Sequence, residues 1–136
     1  VNRIDAEARS EMNSQTPIFM GGVFCACLAL FHLTFWRLFR WKTELGKLTS
    51  LNRAVVQVLN LSLTFVFVIF AYISIAHPGE LTSTAMGRSL LLLIAVFWYL
   101  RAAEQIWFFG LRKPLSILFL LFFAVGGTLY LLPLIG

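Results

Sequence analysis

Nothing constrains this chain more than the length of its uncharged apolar runs. Ile18–Trp36 is 19 residues without Asp, Glu, Lys or Arg, Ala54–Ala76 is 23 and Pro114–Ile135 is 22. A further stretch, Gly87–Phe109, has Arg88 at its edge and Arg101 and Glu104 inside it, and is otherwise dominated by apolar residues. A helix needs about 20 residues to cross roughly 30 Å of hydrocarbon, so all four qualify as spans. A soluble domain would carry about a quarter charged residues; this chain carries 12%. The expected class is an integral membrane protein of one domain.

Strands are excluded by pattern. A membrane barrel alternates apolar and polar residues in segments of about ten, and runs such as Ser89–Ile94 show no alternation. The predicted fold is all-α: a polytopic membrane protein built as an antiparallel four-helix transmembrane bundle. A polar N-terminal segment, 1–17, precedes a transmembrane domain over 18–136, with TM1 at 18–39, TM2 at 54–76, TM3 at 86–109 and TM4 at 114–135. TM1 is read as a span and not a signal peptide, because its basic residues follow the apolar run. Lys113-Pro114 after Gly110 leaves so short a turn that TM3 and TM4 must be antiparallel neighbours.

Orientation follows from the basic residues. Arg37, Arg40, Lys42, Lys47 and Arg53 oppose only Glu44 between TM1 and TM2, and Arg112 and Lys113 lie between TM3 and TM4. The TM2–TM3 connection, with Glu80 and Arg88, is neutral. The positive-inside rule then predicts a multi-pass protein of the cell membrane with connections 40–53 and 110–113 cytoplasmic and both termini outside. An anionic leaflet accounts for the basic balance, so the expected partners are membrane lipids and no nucleic acid.

The informative residues are polar ones inside the spans. At a rise of about 1.5 Å per residue, Arg101 lies about 4 Å, His32 about 6 Å, Glu104 and Asn60 about 8 Å and Gln57 about 12 Å from their span midpoints, all toward the basic connections. Three helices thus place costly groups at similar depth. On TM2, Arg53, Gln57, Asn60 and Thr64 form one helical stripe; on TM3, Trp98, Arg101, Glu104 or Gln105 and Phe108 form another. On TM1, Gly22, Cys25, Ala29, His32 and Trp36 run from small residues to ring-bearing ones.

These patterns predict a ligand- or ion-binding site of His32, Gln57, Asn60, Arg101 and Glu104 in the cytoplasmic half, with Trp36, Thr64, Trp98 and Gln105 as lining. Ionisable residues inside a span are a functional signal, although Arg101 and Glu104, three apart, also form a plausible structural pair. The leading reading is a protein that binds or transports a small molecule, lipid or ion. The alternatives are a membrane enzyme or electron-transfer protein using His32 and Glu104, and a structural or accessory subunit. One intramembrane histidine cannot give a haem two axial ligands; no metal site is read, and the sequence names no cofactor.

Three further expectations concern packing. Cys25 and Cys27, two apart on a helix, cannot bridge each other. Trp36, Trp41, Trp107, Tyr72 and Tyr130 sit near span ends, as interfacial anchors do. Gly21-Gly22 and Gly126-Gly127 suggest close packing of TM1 on TM4, and the otherwise apolar TM4 suggests a homo-oligomer.

Overall fold

The structure is a computed structural model, and it describes residues 2–135. It is an all-α antiparallel bundle, with no strand among the described residues. The elements are α1 (Asn2–Leu33), α2 (Phe35–Leu38), α3 (Trp41–Glu44), α4 (Ser50–Ala76), α5 (Pro78–Ser83), α6 (Ala85–Glu104) and α7 (Pro114–Ile135). A 3₁₀ turn, Leu45–Lys47, follows α3, and a π turn, Gln105–Phe109, extends α6. The four stretches long and apolar enough to cross a membrane are Glu11–Leu33, Ser50–Ala76, Ala85–Phe109 and Pro114–Ile135.

The long helices begin where their sequences provide caps. Thr49 Oγ1 accepts from the Asn52 amide ahead of α4, and Thr84 Oγ1 accepts from the Gly87 amide at 2.9 Å ahead of α6. Pro78 and Pro114 occupy first turns, where a missing N–H costs nothing. Between α6 and α7 the chain reverses at Gly110, whose φ of 65° lies in the left-handed region that favours glycine.

The first helix differs from the sequence expectation at both ends. It starts at Asn2, so the polar segment continues the span as the same helix, with Pro17 inside it. It stops at Leu33, not 39. There Thr34 Oγ1 donates to the Phe31 carbonyl at 2.6 Å, capturing a backbone acceptor. The chain then turns through α2 to Arg40, which is left-handed at φ 50°. Hydropathy alone could not locate this break, because Phe35, Trp36, Leu38 and Phe39 continue the apolar run.

Closest packing joins α1 to α4 and α6 to α7, with α1 also lying on α7. Large rings bridge the remaining side of the bundle: Phe67 of α4 stacks on Trp98 of α6 at 5.3 Å, and Phe70 meets Phe97 edge-on. Gly22 faces Ser74 and Ile75 of α4, and Gly21 faces the Tyr130 ring. Gly126 receives the edge of Phe24, and Gly127 receives Tyr99. The expected close packing of TM1 on TM4 is met glycine to ring, at Gly21 on Tyr130 and at Gly126 on Phe24, since an aromatic ring fills the space left by a missing Cβ. The Gly126-Gly127 pair is buried inside the bundle.

Tyr130 departs further from expectation. It is 0% exposed, and its hydroxyl lies 2.9 Å from Ser74 Oγ and 3.4 Å from Cys25 Sγ. It is not an interfacial anchor but a polar knot tying α1, α4 and α7. Cys25 is buried and Cys27 exposed, both as free thiols.

Candidate functional site

The two ends of the bundle differ in charge. One carries the basic segment 34–49 and the turn 110–113; the other carries Glu11, Glu80 and Arg88 with His77 and is near neutral. At the basic end Lys47 holds both carboxylate oxygens of Glu44, at 2.9 and 2.8 Å. That hydrogen bond, reinforced by the lysine charge, keeps the Glu44 carboxyl below its ordinary value.

Toward this end lie the residues singled out from the sequence. Asn60 Nδ2 donates to the His32 backbone carbonyl at 3.3 Å, a direct link between α4 and α1. The His32 ring bonds the Leu28 carbonyl through Nδ1 at 2.9 Å, stacks on Phe35 at 4.4 Å and meets Phe67 edge-on at 4.9 Å. On α6, Arg101 Nη1 stands 3.4 Å from Glu104 Oε2, an ion pair at the long limit of a hydrogen bond. The guanidinium lies over the Phe123 ring of α7, 4.8 Å from its centroid, a cation–π contact.

Three rings join these two polar groups. Phe67, Trp98 and Phe123 stack nearly parallel, with Phe67 at 15° and 5.3 Å and Phe123 at 13° and 6.1 Å from Trp98. The series Asn60, His32, Phe67, Trp98, Phe123, Arg101, Glu104 is thus continuous across all four long helices. Sequence reasoning missed Phe67 and Phe123 as parts of it. The signal for Phe67 was present: it extends the α4 stripe 53, 57, 60, 64 by three more residues.

The other selected residues are distributed differently. Gln57 Nε2 turns back to the Arg53 carbonyl on its own helix. Thr64 is buried and donates to the Asn60 carbonyl at 2.7 Å; it also borders an apolar groove on the far side of the α1–α4 seam. Gln105, in the π turn, donates to Ser116 Oγ at 3.0 Å, and Ser116 donates to the Gly110 carbonyl, locking the α6–α7 turn. Trp36 is exposed and packs edge-on to Trp41, away from the interior. Trp98, expected to line a cavity, is 0% exposed within solid aromatic packing.

His32 and Glu104 make their contacts with other groups, and Arg101 reaches Phe123. Among the described residues no group of three or more His, Cys, Asp or Glu side chains is arranged to hold a metal ion. Among the described residues, two side-chain atoms are buried with no protein partner: Asn60 Oδ1, an acceptor, and Trp98 Nε1, a donor.

Comparison with protein-family models, with curated proteins and with solved structures finds no match to this chain. Its four apolar helices make it a multi-pass membrane protein.

Proposed function

We propose that this membrane protein binds a small polar molecule in the half of the bundle nearest the basic connections, and that transport of that molecule is the role such a site serves. The supporting observation is the pair of unpaired buried atoms, Asn60 Oδ1 and Trp98 Nε1, in the layer that also holds His32 and Arg101. Buried polar atoms are nearly always hydrogen-bonded, so the exceptions call for an explanation. A ligand with an acceptor for the indole N–H and a donor for the amide oxygen would supply what both lack; Trp98 is sealed in its stack, so such a ligand enters as that packing opens. The guanidinium of Arg101, only loosely met by Glu104, favours an anionic or electron-rich group on that ligand.

A second reading, a structural or accessory subunit, is favoured by a specific pattern. His32, Gln57 and Thr64 each direct a polar atom to the backbone of their own helix, four residues away. Thermal unfolding of the purified protein against small carboxylates, inorganic phosphate and small neutral amides separates the two. A ligand specific to the folded state raises the Tm of the wild type, and Asn60→Leu and Trp98→Phe abolish that rise while remaining folded. A panel that moves neither wild type nor variants, or moves them equally, supports the subunit reading instead.

A further inference from the structure

Two hollows meet at the last turn of α4. One is an apolar groove of about 490 Å³ on the outward side of the α1–α4 seam, walled by Ala26, Ala29 and Leu30 of α1 and by Thr64, Val68 and Ile75 of α4. The Thr64 hydroxyl is turned to the Asn60 carbonyl, which leaves its methyl for the groove. The other is a polar pocket of about 500 Å³ between α1 and α5, walled by Glu11, Gln15, His77, Glu80 and Ser83. Ala76 lines both, and Tyr72 of the groove meets the His77 ring edge-on at 5.7 Å. On α1, Gln15, Phe19, Val23, Ala26 and Leu30 recur at steps of three and four residues, so one helix face borders both hollows.

Their positions match the two zones of a single leaflet, the one away from the basic connections. From Thr64, midway along α4, to Ala76 at its end, the groove runs about 18 Å at about 1.5 Å per residue. That is slightly more than half of a hydrocarbon core roughly 30 Å thick. The pocket lies where the apolar stretches Glu11–Leu33 and Ser50–Ala76 end. No Lys or Arg lines it among the described residues, and Glu11 forms no ion pair among them. Glu80 Oε2 is bonded to His77 Nδ1 at 2.6 Å, which leaves Oε1 for another donor. Arg88, at the same end, is turned to the Leu134 carbonyl of α7 at 3.5 Å. The end as a whole is near neutral, but the pocket itself is lined by two carboxylates.

We propose that the two hollows together bind one phospholipid with a primary-ammonium headgroup, its ammonium on Glu11 and Glu80 and one acyl chain in the groove from Ala76 toward Thr64. An apolar trough one leaflet deep that runs into a polar pocket has the profile of an amphiphile. The walls give the chain dispersion contacts along its length. The carboxylates accept charge-assisted hydrogen bonds from the ammonium; a quaternary ammonium has no N–H to donate, and an anionic headgroup is repelled. The Gln15 amide and the Ser83 hydroxyl are donors within the same pocket for the lipid phosphate. The headgroup pocket lies at the opposite end of the bundle from His32 and Arg101, and the proposal does not rest on the function proposed for their layer.

The test is native mass spectrometry of the protein taken into mild detergent from vesicles of equal phosphatidylethanolamine, phosphatidylcholine and phosphatidylglycerol. The wild type retains one phosphatidylethanolamine in preference to the other two. Glu11→Gln with Glu80→Gln brings that preference to near unity, and Gln15→Lys, which puts a cation in the pocket, replaces the double variant if it does not fold. Val68→Trp, which fills the groove from an exposed wall position, lowers retention about fivefold or more by taking the place of the chain, while Val58→Trp, exposed on the same helix outside the groove, does not. Leu30→Trp, on the opposite wall, replaces Val68→Trp if that variant does not fold. Wild type without bound lipid, equal retention of the three lipids, a preference for phosphatidylglycerol or phosphatidylcholine, or a preference unchanged by the pocket variants overturns the proposal. So does retention unchanged on filling the groove, and a dimer mass lost on filling it assigns the groove to a second copy instead.

Discussion

Two polar regions lie in the same bundle and are built by opposite means. Cys25, Ser74 and Tyr130 sit toward the end opposite the basic connections; they are uncharged, fully buried and bonded through Tyr130 across three helices. His32, Asn60, Arg101 and Glu104 sit toward the basic end, and most of their polar contacts stay on their own helix while rings connect one helix to the next. The difference is one of cost. A hydroxyl can be buried whole if a neighbour takes its hydrogen bond, whereas a guanidinium keeps its charge, and enclosing it fully costs more than a single partner returns. Arg101 and Glu104, with 28% and 43% side-chain exposure, meet each other and the Phe123 ring.

If rings, and not hydrogen bonds, hold the basic half together, the largest loss follows from removing the central one. Trp98→Ala takes away the ring stacked between Phe67 and Phe123, and is expected to destabilise by about 3 kcal/mol or more, within the range for buried aromatic truncations. Reversible unfolding in mixed micelles measures it. A loss under about 1 kcal/mol would show that the stack is incidental and that the helices are held elsewhere.

At the other end, Tyr130→Phe removes one hydroxyl and leaves Ser74 and Cys25 without their shared partner. Hydrogen bonds between helices in membranes average about 0.6 kcal/mol and reach about 1.7, so a cost of about 1 kcal/mol is expected in the same titration. Asn60→Leu gives the smallest effect. It deletes one 3.3 Å bond but also an acceptor that has no partner, and the two changes should cancel to within about 0.5 kcal/mol. An Asn60→Leu cost exceeding that of Tyr130→Phe would reverse the contrast between the halves and make the Asn60–His32 link a main tie.

Much of the architecture was legible in the sequence because membrane burial leaves a one-dimensional signal. Four uncharged or nearly uncharged runs become four helices, and their short connections make neighbours antiparallel. The end of α1 was not legible, since the break at Thr34 is a local competition for a backbone carbonyl inside a run that stays uncharged to Trp36. For the candidate site, depth and helical stripe placed His32, Asn60, Arg101 and Glu104 toward one end. The contacts among them are a different kind of information. Whether Arg101 meets Asn60 or Phe123 depends on how α6 is rotated against α7, and glycine-to-ring packing at Gly126 and Gly127 contributes to that fit. Tyr130 misled for the same reason: a tyrosine near a span end has the composition of an anchor, and only the neighbouring Gly21 reveals room for its ring inside.

The position of Trp98 has a consequence for how this protein can be watched. Of its four tryptophans, Trp36 and Trp107 are exposed, Trp107 at 83%, and Trp41 packs against Trp36 in the basic connection, whereas Trp98 alone is sealed in the stack. With phenylalanine at 36, 41 and 107 the chain would keep a single emitter at its centre, screened from quenchers in lipid and water alike. The colour and lifetime of that emission would then report directly on the indole N–H, making the protein its own optical gauge of whether that proton has found an acceptor.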